Sequence, residues 1–171
     1  MIRIRRALPS DAAALATLSA ETFSETFTYY PAEDLANYLA ETYTEESYAE
    51  EISNPACRIY LAEEEGALLG YVLAGPAHLP HPDLKEADGE IRRLYVRSNR
   101  QGQGLGSQLL EKALSWLLKD DPQRVLWLGV WSENYGAQRL YQRYGFQRVG
   151  DYYFRVGKTR DFEFIFRRAA Q

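Results

Sequence analysis

The chain is predicted to be of the α/β (α+β) class, with a mixed, mostly antiparallel central sheet of about seven strands and helices on both faces. Three observations lead there. Strand-like apolar runs alternate with segments of helical periodicity along the 171 residues. One such run, Glu90–Val96, leads through the glycine-rich stretch Gln101–Gly106 into a strongly amphipathic helix, Gly104–Lys119. The chain then closes on two alternating segments, Phe146–Val156 and Asp161–Arg168, with Phe162, Phe164 and Phe166 on one side of a hairpin.

Taken in order, Ile2–Ala7 reads as a short strand. Ser10 or Asp11 can cap a helix over Ala12–Phe23. Glu33–Leu39 and Glu45–Ile52 are further helical pieces, punctuated by Pro31 and Pro55. Arg58–Glu63 and Leu68–Ala74 form a hairpin about Glu65-Gly66, and Gly75–Gly89, rich in Pro, Gly and His, reads as an exposed loop. Helix Gly104–Lys119 carries Leu105, Leu109, Leu110, Ala113, Leu114 and Leu117 on one stripe. Val125–Trp131 is continuously apolar, as a strand covered on both faces would be. Asn134–Tyr144 is a short helix with Ala137, Leu140, Tyr141 and Tyr144 on one face. No repeat, linker or low-complexity segment interrupts the chain, so residues 1–171 are expected to form a single domain.

Composition narrows the function. Apolar residues make up 46% and aromatics 13%, which excludes a disordered chain. No segment approaches the roughly 20 apolar residues of a membrane span, and the N-terminus lacks a signal-peptide core. Cys57 has no partner cysteine, and with His78 and His81 far from it a metal site is not expected. A soluble cytoplasmic protein, monomeric or homodimeric, fits these features. Charge is divided unevenly. Glu21–Glu65 holds 12 acidic residues against one basic, and Ile91–Gln171 holds 15 basic against 7 acidic. An anionic ligand on one side and a cationic one on the other would suit this division, as would two solvated faces. The basic residues form no dense run and the pI is about 5.3, so a nucleic-acid partner is not expected.

The stretch Gln101–Gly106 carries the most chemistry. Three glycines at alternate positions leave the main chain uncovered, and the following helix directs the positive end of its dipole at the same place. This is a cradle for a phosphate. A dinucleotide fingerprint would need a glycine where Ser107 stands, and a P-loop would need a lysine that is missing. A glycine-softened helix entry without ligand is the plainer alternative.

The order of strand, QGQGLG, helix and strand continues into Asn134, Ala137, Leu140, Tyr141, Gly145 and Phe146. Together these residues resemble the GCN5-related N-acetyltransferase (GNAT) superfamily over nearly the whole chain, including Leu8–Phe23. The stretch Trp127–Asn134, with Thr22, Phe23 and Phe27, is similar to bacterial spermidine/spermine-type acetyltransferases of that superfamily. The ribosomal-protein N-terminal branch carries a glutamate at the place of Gly129, so its catalytic scheme does not transfer here.

The resemblance implies a sheet splayed between two central strands and acetyl transfer from acetyl-CoA to a primary amine in a ternary complex. It places the cofactor's diphosphate on Gln101, Gly102, Gln103, Gly104, Leu105, Gly106 and Ser107. The pantetheine arm falls along Leu94, Tyr95 and Val96, with Asn134 and Tyr141 against it. A main-chain N–H of Leu94 or Tyr95 would meet the developing oxyanion. An amine of pKa near 10.4 is neutral in only about 1 molecule in 2,500 at pH 7, so either a base or a strongly perturbing site is required. Glu90 takes that role by resemblance, directly or through water, and pairing with Arg92 or Arg93 is its structural alternative. Tyr141 is the family's general acid toward the departing thiolate, or a core tyrosine, or both.

The acidic helices Glu21–Glu51 occupy the part of the chain that walls the acceptor cleft in this family. With Tyr29, Tyr30, Glu90 and Trp131 as acceptor contacts, their charge suggests a polyamine such as spermidine or spermine. A protein N-terminus or lysine as acceptor, or a CoA-binding sensor without catalysis, are the alternatives.

Overall fold

The computed structural model describes residues 1–169; positions 170 and 171 of the predicted domain lie outside them. The chain runs β1 (Arg3–Arg6), α1 (Ala12–Thr26), α2 (Ala32–Thr42), α3 (Glu45–Ser53), β2 (Arg58–Glu64), β3 (Ala67–Pro76), β4 (Gly89–Val96), α4 (Leu105–Leu118), β5 (Leu126–Trp131), α5 (Tyr135–Arg143), β6 (Gln147–Val156) and β7 (Thr159–Arg168). The seven strands form one open sheet in the order β1-β2-β3-β4-β5-β7-β6. Every neighbouring pair is antiparallel except β4 and β5. The predicted class, sheet type and two-sided helix cover match this architecture.

The elements form where local chemistry puts them. β2 and β3 are joined by Glu65 (φ 51°) and Gly66 (φ 83°), the two left-handed positions of a tight hairpin turn. Thr44 starts α3 by accepting the Ser47 N–H at 3.0 Å. Asn134 starts α5 by accepting the Ala137 N–H at 3.2 Å. Asp11, expected as a side-chain cap of α1, does something else. Its carboxylate takes two hydrogen bonds from Arg5 at 2.8 and 2.9 Å and one from the Leu8 N–H at 2.7 Å, tying β1 to the entry of α1. The predicted loop Gly75–Gly89 is shorter than expected. Gly75 and Pro76 pair with Glu90 and Gly89, so the turn residues at both ends belong to the ladder.

Two apolar cores flank the sheet. On one face α4 and α5 bury the predicted leucine stripe, with Tyr141 and Phe146, against β2–β5. On the other, α1–α3 cover β2 and β3 with Leu15, Leu18, Phe23 and Tyr48. Cys57 is a buried thiol in this second core.

The feature that matters most is an interruption. β3 and β4 pair at Leu73–Arg93 and then at Ala74–Ile91, so Arg92 is an extra residue on β4, a bulge that bends the strand. The parallel ladder of β4 with β5 covers only Gly89–Ile91 against Leu126–Leu128. Beyond Ile91 the two strands diverge, and Leu94–Val96 have no ladder partner on the β5 side.

The α4 stripe anchors the bent strand's surroundings. Leu109 is fully buried, and Leu109→Ala should cost about 3 kcal/mol. Urea denaturation would show a lower midpoint with unchanged slope; a loss below 1 kcal/mol would mean that α4 is not held through this stripe.

Candidate active site

Three spaces with shared lining residues lie around the divergence of β4 and β5. The first is a groove of about 290 Å³ between β4, the entry of α4 and the face of α5. Leu94, Tyr95 and Val96 form one wall; Gln101, Gly102, Gly104, Leu105 and Gly106 form its end. Asn134 and Tyr141 close the opposite side. Gly104 stands at the N-cap of α4 with φ 80°, a conformation that favours glycine, and a Cβ added there would reach nothing nearer than 4.0 Å. The free N–H groups of the first turn of α4 therefore face open space at the positive end of the helix dipole. Gln103 and Ser107 belong to the same loop and first turn without lining the groove. Thr26, Arg100 and Gly136 line it as well and escaped the sequence reading, and Ala137 and Leu140, read there only as helix-face and motif residues, line it too.

The second space is a chamber of about 300 Å³ on the far side of the sheet, under α1–α3. Glu51, Glu90, Glu163, Arg92, Arg93 and His78 line it, among rings that include Phe23, Phe27, Tyr38, Tyr43, Tyr95, Tyr152 and Phe154. The third is a narrow slot of about 70 Å³ through the sheet where β4 and β5 part. It shares Leu94, Asn134 and Tyr141 with the groove, and Arg92, Gly129 and Glu163 with the chamber; Trp131 also lines it.

Glu90 is 3% exposed and does not pair with Arg92 or Arg93. Its Oε1 accepts the His78 N–H at 3.0 Å and lies 2.9 Å from His78 Nδ1. Arg92 turns away to the Pro76 carbonyl at 2.7 Å. Arg93 lies over the rings of Tyr43 and Tyr48, donates to the Tyr48 hydroxyl at 3.1 Å, and stands 3.9 Å from Glu51. Burial pushes the Glu51 carboxyl up, and its Oε2 has no hydrogen-bond partner.

Tyr141 is buried at the junction of groove and slot. Burial, and then the negative charge of Glu163, hold its phenol well above the ordinary value of 10, so it keeps its proton at all physiological pH. Glu163 is a residue that the sequence reading missed. Burial, with the neighbouring Asp161 charge, pushes its carboxyl up to about 7, against the lowering effect of a 3.1 Å hydrogen bond from Tyr152.

Two sequence-based expectations need correction. Tyr29 and Tyr30 line neither chamber nor slot. Both hydroxyls bind the Asp161 carboxylate, and the Tyr29 ring packs on Trp131 at 5.7 Å, so they brace β7 and β5 from outside. The acidic run does not wall the chamber with free carboxylates either. Glu21 pairs with Arg97, Glu25 accepts the Ser98 N–H, Glu63 holds Arg3 and Arg5, and Glu64 holds Arg100. Of the acidic residues between 21 and 65, Glu51 alone lines the chamber.

A dipole-backed glycine cradle, an unpaired strand edge leading from it and a buried phenol at its end define an acyltransferase that works on a coenzyme A thioester. Residues 17–146 match the acetyltransferase (GNAT) family, and the chain belongs to that family. It is an acetyl-CoA-dependent N-acetyltransferase. It is 30% identical to an uncharacterized N-acetyltransferase of Lactobacillus delbrueckii subsp. lactis, over 98% of this chain and 97% of the relative. It is 31% identical to the spermine/spermidine N(1)-acetyltransferase of Bacillus subtilis, over 51% of this chain and 57% of that protein. In fold it is similar to the PaiA N-acetyltransferase of Thermoplasma acidophilum, solved in complex with coenzyme A. The TM-score is 0.78 at 21% identity, covering 99% of both chains.

The cradle can be tested without disturbing the fold. Gly106 lies one residue into α4, where an added Cβ would meet only Leu140 Cδ2 at 3.6 Å. Gly106→Val should leave the melting temperature within a few degrees and weaken acetyl-CoA binding more than tenfold by calorimetry; intact binding would show that the groove end is not the diphosphate site.

Proposed function

We propose that the chain transfers acetyl directly to a primary amine of a small acceptor held in the chamber, and that this acceptor is a polyamine such as spermidine or spermine. The observation that carries direct transfer is the slot. It shares lining residues with both the groove and the chamber, so in this reading amine and thioester meet where β4 and β5 part, without a covalent enzyme intermediate. The chamber's volume lies at the small end for small-molecule sites, which suits one aliphatic arm of an acceptor.

Three carboxylates and several aromatic faces support a cationic aliphatic acceptor. Glu90 lies in the chamber and not in the slot, so we assign it to the charged nitrogens of the acceptor rather than to the reacting one. The partial likeness to the Bacillus enzyme points the same way. The two arginines favour a different reading, in which the acceptor amine belongs to a peptide or carries a carboxylate of its own. Arg92 and Arg93 are each engaged with protein groups already, which weakens that reading.

In this scheme the thioester supplies the activated acetyl carbon. Leu94 and Tyr95 line the slot and have no ladder partner on β5, and we assign their main-chain groups to the thioester carbonyl oxygen. Asn134 positions the cofactor arm while capping α5. Tyr141 gives its proton to the departing sulfur.

Thiol release across a panel of amines tests the acceptor. Polyamines should exceed simple monoamines at least tenfold in kcat/KM, with the advantage shrinking in high salt; preference for peptides, or no preference, would move the acceptor elsewhere. Tyr141→Phe should lower kcat about 100-fold with the acetyl-CoA Kd within a factor of two. A weakened Kd at unchanged kcat would instead make Tyr141 a packing residue.

A further inference from the structure

We infer that Glu163 on β7, held by Tyr152 on β6, is the group that takes the proton from the acceptor amine. This assignment rests on the acetyl-transfer reading above. Among the described residues that line the slot, Glu163 is the one carboxylate, and it lines the chamber as well. It is thus common to the space assigned to the amine and the slot beside Tyr141. Glu90 lines the chamber and not the slot, and its carboxylate is engaged by His78.

The neighbouring β5 position shows how the site is furnished. Gly129 lies on both chamber and slot, and a Cβ added there would stand 2.6 Å from the Tyr152 hydroxyl. The space a β5 side chain would occupy is filled by that hydroxyl, which donates to Glu163 Oε2 at 3.1 Å. The carboxylate that β5 does not supply therefore comes from β7, oriented by β6.

Burial is the main influence on the proton affinity of Glu163, and neighbouring groups modify it. Asp161 on its own strand disfavours ionisation. Glu90, Glu51, Arg92, Arg93 and His78 share the chamber from β4, α3 and the β3–β4 loop. The phenols of Tyr38, Tyr95, Tyr141 and Tyr152 approach from α2, β4, α5 and β6, and each is held protonated in part by the Glu163 charge. Burial dominates, and the carboxyl sits at about 7, where it can both accept and release a proton under ordinary conditions.

The protons balance. The acceptor ammonium loses one proton to Glu163, and the freed lone pair forms the N–C bond with the thioester carbon. The C–S bond breaks, sulfur keeps the electron pair, and Tyr141 protonates it. The surplus proton on the amide nitrogen restores Tyr141, and Glu163 releases its own to solvent. The steps are coupled through charge. Glu163 raises the Tyr141 pKa while ionised, so protonating Glu163 makes Tyr141 a stronger acid just before the thiolate leaves.

The experiment is the pH dependence of kcat at saturating amine and acetyl-CoA, for the wild-type enzyme and for Glu163→Gln, Tyr152→Phe and Glu90→Gln. Wild-type kcat should fall below about pH 7 as Glu163 becomes protonated. Glu163→Gln should lower kcat about 100-fold or more and abolish that limb, with the acetyl-CoA Kd unchanged. Tyr152→Phe removes a bond that favours the carboxylate, so its limb should move to higher pH. Glu90→Gln should raise KM for the amine and keep the limb in place. A limb that survives in Glu163→Gln, stays fixed in Tyr152→Phe or disappears in Glu90→Gln overturns the assignment. If the wild-type enzyme itself releases no thiol with any amine, the acetyl-transfer reading fails instead.

Discussion

Three residues of parallel ladder, Gly89–Ile91 against Leu126–Leu128, join the two halves of the sheet, and the extra residue Arg92 ends the contact. Everything functional follows from where that ladder stops. A continued ladder would have consumed the main-chain groups of Leu94–Val96 and sealed the sheet. Because it stops, one face can hold an extended, amide-rich cofactor arm against an unpaired strand edge, and the other can deliver an amine through the same opening. Unpaired strand edges are a liability in most proteins. Here the edge lies inside the sheet, shielded by α1 on one face and α5 on the other, so it is open to a ligand and closed to another chain.

Acidic residues of α1 and β2 hold the segment that follows the bent strand. Arg97 pairs with Glu21, the Ser98 N–H with Glu25 and Arg100 with Glu64, so the segment between β4 and the cradle is held from α1 and β2. Partly exposed pairs of this kind contribute little stability individually. Their effect is geometric, fixing the approach to Gly104 relative to α4. The uneven charge of the sequence thus has a structural use within the chain as well as a possible external one, and the charge totals alone could not separate the two.

The fold was legible because its signals were local. The α4 leucine stripe, the Glu65-Gly66 turn and the apolar β5 run each report one element's own environment. The glycine-lined end of the groove was legible for the same reason, since Gly102, Gly104 and Gly106 lie within one short stretch of sequence. Glu163 was not. In Asp161–Arg168 the alternation of Phe162, Phe164 and Phe166 marks one face as inward, which leaves Asp161 and Glu163 on the face that reads as solvent. In the structure Phe162 is 37% exposed while Asp161 and Glu163 are buried, because α2 and the Tyr29–Tyr30 corner cover that side. One signal was present. Ile165 shares the face of Asp161 and Glu163, and an isoleucine, here 1% exposed, fits poorly on a solvated face. Tyr29 and Tyr30 misled in the opposite sense, since aromatic residues in an acidic stretch resemble a cation site until their hydroxyls are seen to bind Asp161.

Glu163 also shows where the fold bears the cost of its chemistry. A carboxyl whose folded value is raised from 4.5 to about 7 ionises more readily in the unfolded chain, so its contribution to stability falls as pH rises through that interval. Above pH 7 the penalty is on the order of 3 kcal/mol, a substantial share of a small domain's net stability. Tyr152 limits this penalty with one hydrogen bond but does not remove it, and the space beside Gly129 that would admit a second donor is already filled by the Tyr152 ring end. A fully solvated or fully hydrogen-bonded carboxylate would be cheaper to keep and would be too weak a base for an ammonium. The half-satisfied environment of Glu163 is therefore the arrangement that a proton acceptor at this position requires, and the two apolar cores on either side of the sheet supply the stability that permits it.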